Sequence, residues 1–241
     1  MQRVINFSGG RSSAMMTIME YKPGDIVLFT DTGREHPKTY KFINDFEAFE
    51  NIPVTRISFH NANDAFKELL ERKKYKVIPN RVKRICTVEL KINTAKRYLK
   101  TLGILRFENL LGFRFDEQKR IAKGQSFFKK VHNKFPLNDA GITKAMVNDY
   151  FSKKEYNLEI PAILGNCTLC FLKGKNAIIA ILKNYPDLAK PWIEDEEKAN
   201  GRTYFKDVKI KTLLQIAQNN LFKDYDLDEI APAFNCSCTN V

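Results

Sequence analysis

Short apolar segments alternate with helical segments through the first half of the chain, and this alternation constrains the fold most strongly. Strands are predicted at residues 4–7, 26–29, 54–59 and 109–113. The second of these segments is apolar throughout, as expected of a strand that is buried on both faces of a parallel sheet. Alternating strands and helices favour parallel pairing through right-handed crossovers. The ligand is then expected beyond the carboxyl ends of the strands, beside the first strand.

Helices are predicted between these strands and throughout the second half, at residues 13–21, 37–50, 65–73, 143–151, 176–182 and 209–220. Residues 99–105 are predicted to form the end of a further helix. The alternation fades after about residue 123, and residues 127–135 are predicted to form an edge strand or a loop. We therefore expect an α/β fold with an open, mostly parallel, Rossmann-like sheet and helices on both of its faces. Residues 1–125 form the predicted core, and residues 126–241 a mainly helical, cysteine-bearing extension packed on it.

The turn after the first predicted strand, at residues 8–13, has the features of an anion site. Gly9 and Gly10 let the backbone approach a ligand closely. The helix that follows presents unpaired N–H groups and the positive end of its dipole. Arg11 adds a permanent positive charge. Hydroxyl donors are added by Ser8, Ser12 and Ser13. A phosphate or sulfate site is predicted; the alternative is an ordinary strand-to-helix connection capped by serine.

Residues at the ends of two later strands are further candidates for binding a ligand. At the end of the second strand, Thr30, Asp31 and Thr32 offer hydroxyl and carboxylate groups that can hold a ribose or a base. Gly33 follows them and permits a turn. Past the fourth strand, Gly112 is followed by Arg114 and Arg120, whose planar guanidinium groups suit phosphate or sulfate oxygens. Asp116 and Glu117 either pair with those arginines or coordinate Mg²⁺ if ATP is the substrate.

Charge and hydropathy narrow the class of protein. The 241 residues include 40 basic and 28 acidic ones, which gives a net charge of +12. Such an excess attracts nucleic acid or serves an anionic substrate, and both readings stay open. No apolar run reaches the roughly 18–20 residues of a membrane span. The chain starts directly with a strand pattern, without a signal peptide, so we expect a cytoplasmic protein.

Five cysteines, an odd number, argue against a disulfide framework. They are grouped as Cys86 alone, then Cys167-x-x-Cys170, then Cys236-x-Cys238. Basic neighbours raise the thiolate fraction of Cys86 and suit anion or cluster binding. The C-x-x-C spacing occurs in both zinc and iron–sulfur sites.

Three of these motifs resemble one known family. Residues 8–13, Ser-Gly-Gly-Arg-Ser-Ser, resemble the S-G-G-x-[DK]-S pyrophosphate-binding loop (PP-loop) of the adenine-nucleotide alpha-hydrolase superfamily, with Ser12 in place of Asp or Lys. The D-T-G-x-x-x-P-x-T-Y-x-F-I pattern that begins at Asp31 resembles a loop and helix of phosphoadenosine phosphosulfate reductases. The G-x-R-x-D-E-x-x-R pattern that begins at Gly112 resembles the second anion-binding segment of that family.

The resemblance extends to the cysteines. In the adenosine phosphosulfate reductase branch, a C-C-x-x-x-K element and a C-x-x-C about eighty residues later hold an iron–sulfur cluster. In an alignment on Lys91, Cys86 matches the first cysteine of the pair and Thr87 replaces the second, and 80 residues separate Cys86 from Cys167. The resemblance thus implies a [4Fe–4S] cluster, or alternatively zinc. Its ligands would be Cys86, Cys167, Cys170 and, as the fourth, Cys238 or Cys236.

The family implies two reaction types and leaves a third reading open. In the first, a thiolate of Cys238 or Cys236 attacks the sulfur of a phosphosulfate, Arg114 binds the anion, and a thiol reductant protein releases sulfite. In the second, ATP is split to AMP and pyrophosphate to activate an oxygen that a donor's sulfur replaces, as in thiolation or phosphorothioation of nucleic acid. The third is a non-catalytic nucleotide-sensing module. The tail around Cys236 differs from the E-C-G-[IL]-H setting of the reductases.

Overall fold

The computed structural model describes residues 1–124 and 130–219. Within them, five strands form one sheet in which every pair of neighbours is parallel, in the order β3-β2-β1-β4-β5. The strands are β1 (Gln2–Asn6), β2 (Ile26–Asp31), β3 (Thr55–Ser58), β4 (Phe107–Leu111) and β5 (Val131–Lys134). The predicted open, parallel α/β sheet is confirmed. The strand order reverses beside β1, so the gap between the β1 and β4 connections is where this topology binds ligands.

Ten α-helices are described, with the bounds α1 (Arg11–Glu20), α2 (Pro37–Glu50), α3 (Ala65–Arg72), α4 (Thr94–Thr101), α5 (Gln118–Gly124), α6 (Pro136–Asp139), α7 (Lys144–Ser152), α8 (Lys175–Asn184), α9 (Lys190–Lys198) and α10 (Ile210–Gln218). A π-helical segment, Cys86–Asn93, leads into α4. No element was assigned to residues 86–93 from the sequence. No helix in residues 1–124 or 130–219 is long and apolar enough to cross a membrane.

Alternating side chains of the strands bury both faces of the sheet. Ile5 and Phe29 point into the larger core, where α1, α2 and α8–α10 pack. Val4 and Leu28, their neighbours in the chain, pack on the other face against α4. Because successive strand residues face opposite sides, the same short apolar strands supply both cores. The predicted helices on both faces are confirmed.

The second half of the chain packs on the larger core through helices α7–α10. Phe151, Ile178 and Trp192 are fully buried there together with Phe46 of the first half. Residues 131–134 of the predicted edge strand or loop form β5, while residues 125–129 lie outside the described part. The division at residue 125 stays a prediction.

An amide ladder fixes the end of the sheet nearest the ligand edge. Asn109 accepts a hydrogen bond from the Asn6 side chain and donates one to Asn133 Oδ1 (2.8 Å). Asn133 in turn donates to the carbonyl oxygen of Gly124 (2.7 Å). The ladder crosses three strands, β1, β4 and β5, so it satisfies buried polar groups and holds their ends in register.

Candidate functional site

A cavity of about 430 Å³ lies at the carboxyl ends of β1, β2 and β4. We call it the large cavity. Its walls are residues 6–13, the ends of β2 and β4, the segment after Gly112, one face of α7, residues 158–166 and two lysines, Lys91 and Lys173. Its volume is in the range of cavities that bind small molecules and cofactors. It lies at the edge of the sheet that the topology predicts.

The floor of the large cavity is the loop at residues 8–13. Gly9 has φ of +72°, and a Cβ added there would lie 2.6 Å from Thr39 Cγ2, so only glycine fits. Ser13 Oγ accepts the N–H of Ser8 (3.0 Å) and donates to the carbonyl of Gly10 (2.9 Å). Ser13 therefore closes the loop from inside.

The amino terminus of α1 differs from those of α2, α3 and α7, although α6 and α8–α10 also start without a side-chain cap. Side chains of His36, Asp64 and Thr143 accept backbone N–H groups at the starts of α2, α3 and α7. Gly10, at the start of α1, has no side chain for this, and no cap hydrogen bond to α1 occurs in the described residues. Because the first N–H groups of a helix have no intrahelical partners, this end is suited to a bound anion.

Arg114 joins the loop to the second predicted anion-binding segment. Its Nη1 donates to Ser12 Oγ (2.9 Å), a contact across 102 positions of sequence. Gly112 makes this approach feasible because a Cβ there would lie 3.1 Å from Ser13 Cα. Ser12, which stands where the family pattern has Asp or Lys, is thus a partner of Arg114.

Two acidic residues hold the arginines in place. Glu117 is 5% exposed and accepts hydrogen bonds from the backbone N–H of Arg114 (3.1 Å) and from Arg120. Asp116 accepts from Nε of Arg114 at 3.0 Å. Of the two roles predicted for these carboxylates, the structure shows them paired with arginine.

Arg11, a predicted anion-binding residue, has its side chain anchored by a neighbouring segment. Its Nε donates to Asn157 Oδ1 (2.7 Å), and its Nη2 to the carbonyl oxygen of Leu158 (2.6 Å). The side chain lines the large cavity but ties the loop to the segment that forms its apolar wall.

The residues at the end of β2 and just after it divide between the large cavity and the structure that supports it. Thr30 lines the large cavity, whereas Asp31, Thr32 and Gly33 are not among the described residues that line it. Asp31 Oδ1 accepts the Gly33 N–H and the hydroxyl of Tyr40, both at 2.8 Å. Burial and the neighbouring Asp31 carboxylate raise the pKa of Tyr40. These contacts shape the turn.

Three cavity residues on α7 were missed by sequence reasoning. Lys144, Val147 and Asn148 line the large cavity from α7, and their i, i+3, i+4 spacing is the only signal that could have grouped them. Lys173 is 4% exposed, and its Nζ donates to the carbonyl oxygens of Cys167 (2.8 Å) and Thr168 (2.9 Å). Lys173 therefore lies between the large cavity and the C-x-x-C turn.

The cysteines meet in a second, smaller cavity, the cysteine cavity. Cys86, Cys167 and Cys170 all line it, although 80 residues separate the first from the second. Its other lining residues are Thr32, Phe66, Thr87, Lys91, Asn166, Phe171 and Trp192. Lys91 and Asn166 also line the large cavity, so the two cavities share a wall.

The described residues contain no group of three or more His, Cys, Asp or Glu side chains that could hold a metal ion. The cysteine cavity thus brings three predicted ligands together without showing a metal geometry. Cys236 and Cys238, predicted as ligand and nucleophile, lie outside the described residues.

Glu35 is a buried carboxyl group beside the cysteine cavity. Its Oε1 accepts from the hydroxyl of Thr32 (3.2 Å) and lies 3.9 Å from Cys167 Sγ. Burial raises the pKa of Glu35, opposed by the positive charge of Lys91. Sequence reasoning missed this residue, because nothing in the sequence brings position 35 to Cys167.

A buried ion pair fastens this region to the second half of the chain. The guanidinium group of Arg34 contacts Asp195 Oδ2 of α9 at 3.0 Å, and the Tyr204 hydroxyl donates to the same oxygen (2.9 Å). The carbonyl oxygen of Arg34 accepts the N–H of Thr168 (2.9 Å), between the two cysteines of the C-x-x-C turn. The loop after β2, α9 and the cysteine turn are therefore held together through one residue.

Comparisons with known proteins identify a family and two relatives. Residues 2–159 match the phosphoadenosine phosphosulfate reductase domain family. The chain is 26% identical over 220 residues to the uncharacterized nin region protein ORF290 of Escherichia phage lambda, covering 80% of this chain and 74% of that protein. It is also 26% identical over 203 residues to the uncharacterized protein MJ0066 of Methanocaldococcus jannaschii, covering 78% of this chain and 40% of that protein.

Proposed function

The chain belongs to the phosphoadenosine phosphosulfate reductase family, and we propose that it binds ATP or a phosphosulfate nucleotide in the large cavity. The phosphate or sulfate oxygens would lie between residues 8–13 and Arg114. The observation that carries this proposal is the hydrogen bond from Arg114 to Ser12, beside a helix start without a side-chain cap. A guanidinium group and helix N–H groups at one place are suited to a phosphate.

The charges around the large cavity support an anionic ligand. Six basic residues line it: Arg11, Lys91, Arg114, Arg120, Lys144 and Lys173. Its two acidic lining residues in the described part of the chain, Asp116 and Glu117, accept from arginines. An anion entering the cavity therefore meets an excess of positive charge that internal pairs only partly neutralise.

The proposed chemistry is transfer or reduction of sulfur with the help of the cysteines. A [4Fe–4S] cluster would be held by Cys86, Cys167 and Cys170, with Cys238 or Cys236 as the fourth ligand. The donor chemistry fits, because three thiols and no described carboxylate line the cysteine cavity, and soft thiolates select iron–sulfur clusters or zinc. When bound, such a cluster supplies an electron-transfer centre or an iron that binds sulfur. Zinc is the alternative occupant.

In this proposal, different residues of the chain bind the anion, separate the two cavities and attack sulfur. Arg114 and Arg120, held by Glu117, orient the phosphate or sulfate oxygens. Lys91 and Asn166, in the wall shared by the two cavities, separate the nucleotide from the thiols. In phosphosulfate reduction, Cys238 or Cys236 would be the nucleophile that attacks sulfur, and a thiol reductant protein would release sulfite.

A second candidate reaction is ATP-dependent sulfur transfer into nucleic acid, which the net charge of +12 favours. Product analysis separates the candidates. Anaerobically purified protein is incubated with ATP and Mg²⁺, and separately with phosphoadenosine phosphosulfate, thioredoxin and its reductant. Sulfite supports reduction, and pyrophosphate with AMP supports activation of an acceptor. Tight binding of nucleotide without either product, in the presence of nucleic acid and sulfide, indicates a sensing module.

The cluster has its own test. Anaerobically purified protein should be brown, with a broad visible absorption band and about four iron and four sulfide per chain, the composition of a [4Fe–4S] cluster. Cys167→Ser should lose this band and most of the iron, whereas Ser152→Ala, an exposed hydroxyl on α7, should keep both. A colourless, zinc-loaded wild-type preparation would contradict the cluster and leave zinc as the occupant.

A further inference from the structure

The segment that joins α3 to the π-helical segment has an unusual concentration of positive charge. We call residues 72–84 the basic segment. Seven of its 13 residues are Lys or Arg, and none is Asp or Glu. They are Arg72, Lys73, Lys74, Lys76, Arg81, Lys83 and Arg84. The first six are exposed, and Arg84 is half-buried. A run of this kind is often only a solvated face, so its structure and position decide what it can do.

The backbone of the basic segment is held in place at its middle. Ile78 is 2% exposed and belongs to the larger core. Asn80 Oδ1 accepts the backbone N–H groups of Val82 (3.0 Å) and Lys83 (2.8 Å), and its own N–H donates to the carbonyl oxygen of Lys83 (3.1 Å). This Asx-type turn presents its cationic side chains on an ordered backbone, which lowers the entropy lost on binding.

Five of the seven positive charges of the basic segment are not neutralised by a described carboxylate. Arg72 pairs with Glu68 of α3 (2.6 Å). For five other cations, no carboxylate of the described residues lies within ion-pair distance: Lys73, Lys74, Lys76, Arg81 and Lys83. Surfaces of folded proteins ordinarily intersperse both signs of charge. A polyanion seated here would relieve the repulsion among these side chains and release its own counterions.

The basic segment leads directly to the candidate active site. Lys83 precedes Cys86 by three residues, and consecutive Cα atoms are 3.8 Å apart, so their Cα atoms lie within about 11 Å of each other. Cys86 lines the cysteine cavity, which shares a wall with the large cavity. Val82, between Arg81 and Lys83, is 90% exposed, so little of its surface is buried in the fold. A ligand on the basic segment would therefore pass beside both cavities.

We propose that the basic segment binds the sugar–phosphate backbone of a single-stranded nucleic acid and presents it to the cavities as the acceptor of sulfur. Closely spaced phosphates suit the cluster of exposed cations that the turns of this segment present. A single strand is required because a nucleotide that reacts inside an enclosed cavity must leave a duplex. The acceptor role rests on the proposed function, in its ATP-dependent form, whereas the binding of the strand does not.

The transfer of sulfur to such an acceptor needs ATP and a sulfide-level donor but no oxidant. A carbonyl oxygen of a nucleobase attacks the α-phosphorus of ATP and displaces pyrophosphate. A sulfide-level donor then attacks the activated carbon, the C–O bond breaks, and AMP leaves with the oxygen. The C=O group has become C=S with no change in oxidation state.

The test measures strand binding and nucleotide binding separately. Fluorescence anisotropy follows fluorescein-labelled 20-nucleotide single strands of RNA and DNA from 50 to 300 mM salt. The test variant neutralises four cations of the basic segment: Lys73→Gln, Lys74→Gln, Arg81→Gln and Lys83→Gln. The control variant removes the same charge from exposed lysines elsewhere: Lys22→Gln, Lys190→Gln, Lys206→Gln and Lys211→Gln. Circular dichroism verifies that both fold.

We expect the test variant to bind the strands at least tenfold more weakly than the wild type at 100 mM salt. The slope of log affinity against log salt should fall by about 3, since single strands contribute about 0.7 for each phosphate contact. The control variant should stay within about threefold of the wild type. Equal losses in both variants, or no strand binding by the wild type, would overturn the proposal.

Two further arms complete the test. Polyglutamate and vesicles of anionic phospholipid are titrated under the same conditions, and binding of either as tight as that of the strands would overturn the assignment to nucleic acid. Calorimetric titration with ATP gives the nucleotide affinity of each variant, which should equal that of the wild type. If the wild type binds strands but not ATP, the proposed function fails while strand binding stands.

Discussion

The two cavities are built in opposite ways. The part of the large cavity that we propose binds phosphate, which we call the phosphate end, comes from two short segments, residues 8–13 and 112–120, joined by the hydrogen bond from Arg114 to Ser12. The cysteine cavity takes its lining from segments that start at residues 32, 66, 86, 166 and 192. The first depends on local backbone geometry, and the second on how the two halves of the chain pack.

The two places also differ in their surroundings. The phosphate end has hydroxyl groups, helix N–H groups and arginines, all of which suit an anion. The cysteine cavity has three thiols and the aromatic rings of Phe66, Phe171 and Trp192. Substitutions should therefore damage one place and spare the other, and this separation can be tested.

The largest effect is expected at the ion pair that braces the cysteine cavity. Asp195→Ala removes one of the two carboxylates that pair with the buried Arg34 and leaves Asp64 (3.1 Å), so the free energy of unfolding should fall by about 2–4 kcal/mol. Asp207→Ala, which breaks an exposed pair with Lys175, should leave the free energy of unfolding nearly unchanged. Denaturant unfolding measures both. Equal losses would show that the buried pair does not brace the fold.

A smaller effect on stability is expected from substitution of Gly9 at the phosphate end, with the neighbouring Gly10 as the control. Gly9→Ala forces a side chain into a left-handed conformation and against Thr39, so it should destabilise the fold by about 1–3 kcal/mol. Gly10→Ala meets its nearest neighbour, Ser8 Oγ, at 3.6 Å and should cost less than about 1 kcal/mol. The measurement is again denaturant unfolding, with metal content as the second readout. A loss of metal in Gly9→Ala would break the expected separation of the two places.

The smallest effect concerns pH. Glu196 of α9 accepts the N–H groups of Tyr204 (3.1 Å) and Ile210 (2.7 Å), and burial raises its pKa above the ordinary 4.5. A raised carboxyl pKa means that the folded state binds the proton more tightly. Its contribution to stability is complete below the unfolded pKa and is lost as pH rises through the folded pKa.

Glu196→Gln should remove the pH-dependent contribution of the Glu196 carboxyl group to stability. The free energy of unfolding of this variant should fall less between pH 4.5 and pH 8 than that of the wild type, beyond any constant offset from the altered hydrogen bonds. Glu197→Gln changes the exposed neighbouring residue and should follow the wild-type curve. If the Glu196→Gln and wild-type curves are parallel, the buried carboxyl does not contribute to the pH dependence.

The parts of the molecule that could be predicted from sequence are those fixed by local geometry. Parallel strands follow from short apolar segments separated by helices, and the loop at residues 8–13 follows from its glycines and serines. β4 begins and ends two residues before the predicted strand, because Gly112 already belongs to the turn that passes Ser13. Boundaries of this kind depend on a tertiary contact.

The site contacts that could not be predicted from the sequence depend on packing between distant segments. Asp31 looked available for ribose, but α2 brings Tyr40 to it. Lys144 lines the large cavity only because α7 packs against α1. Glu35 reaches Cys167 only because the C-x-x-C turn docks on the loop after β2. None of these contacts leaves a pattern in a single sequence.

The most direct test of the account measures how affinity depends on the phosphates. Calorimetric titrations of the wild type with ATP, AMP and adenosine should give affinities that fall at each step, because the proposed phosphate end supplies much of the binding energy. In Arg114→Ala the affinity for ATP should fall by about tenfold or more, while that for adenosine stays within about twofold. Equal affinities of the wild type for ATP and adenosine, or an equal loss of both in the variant, would contradict a phosphate site between residues 8–13 and Arg114.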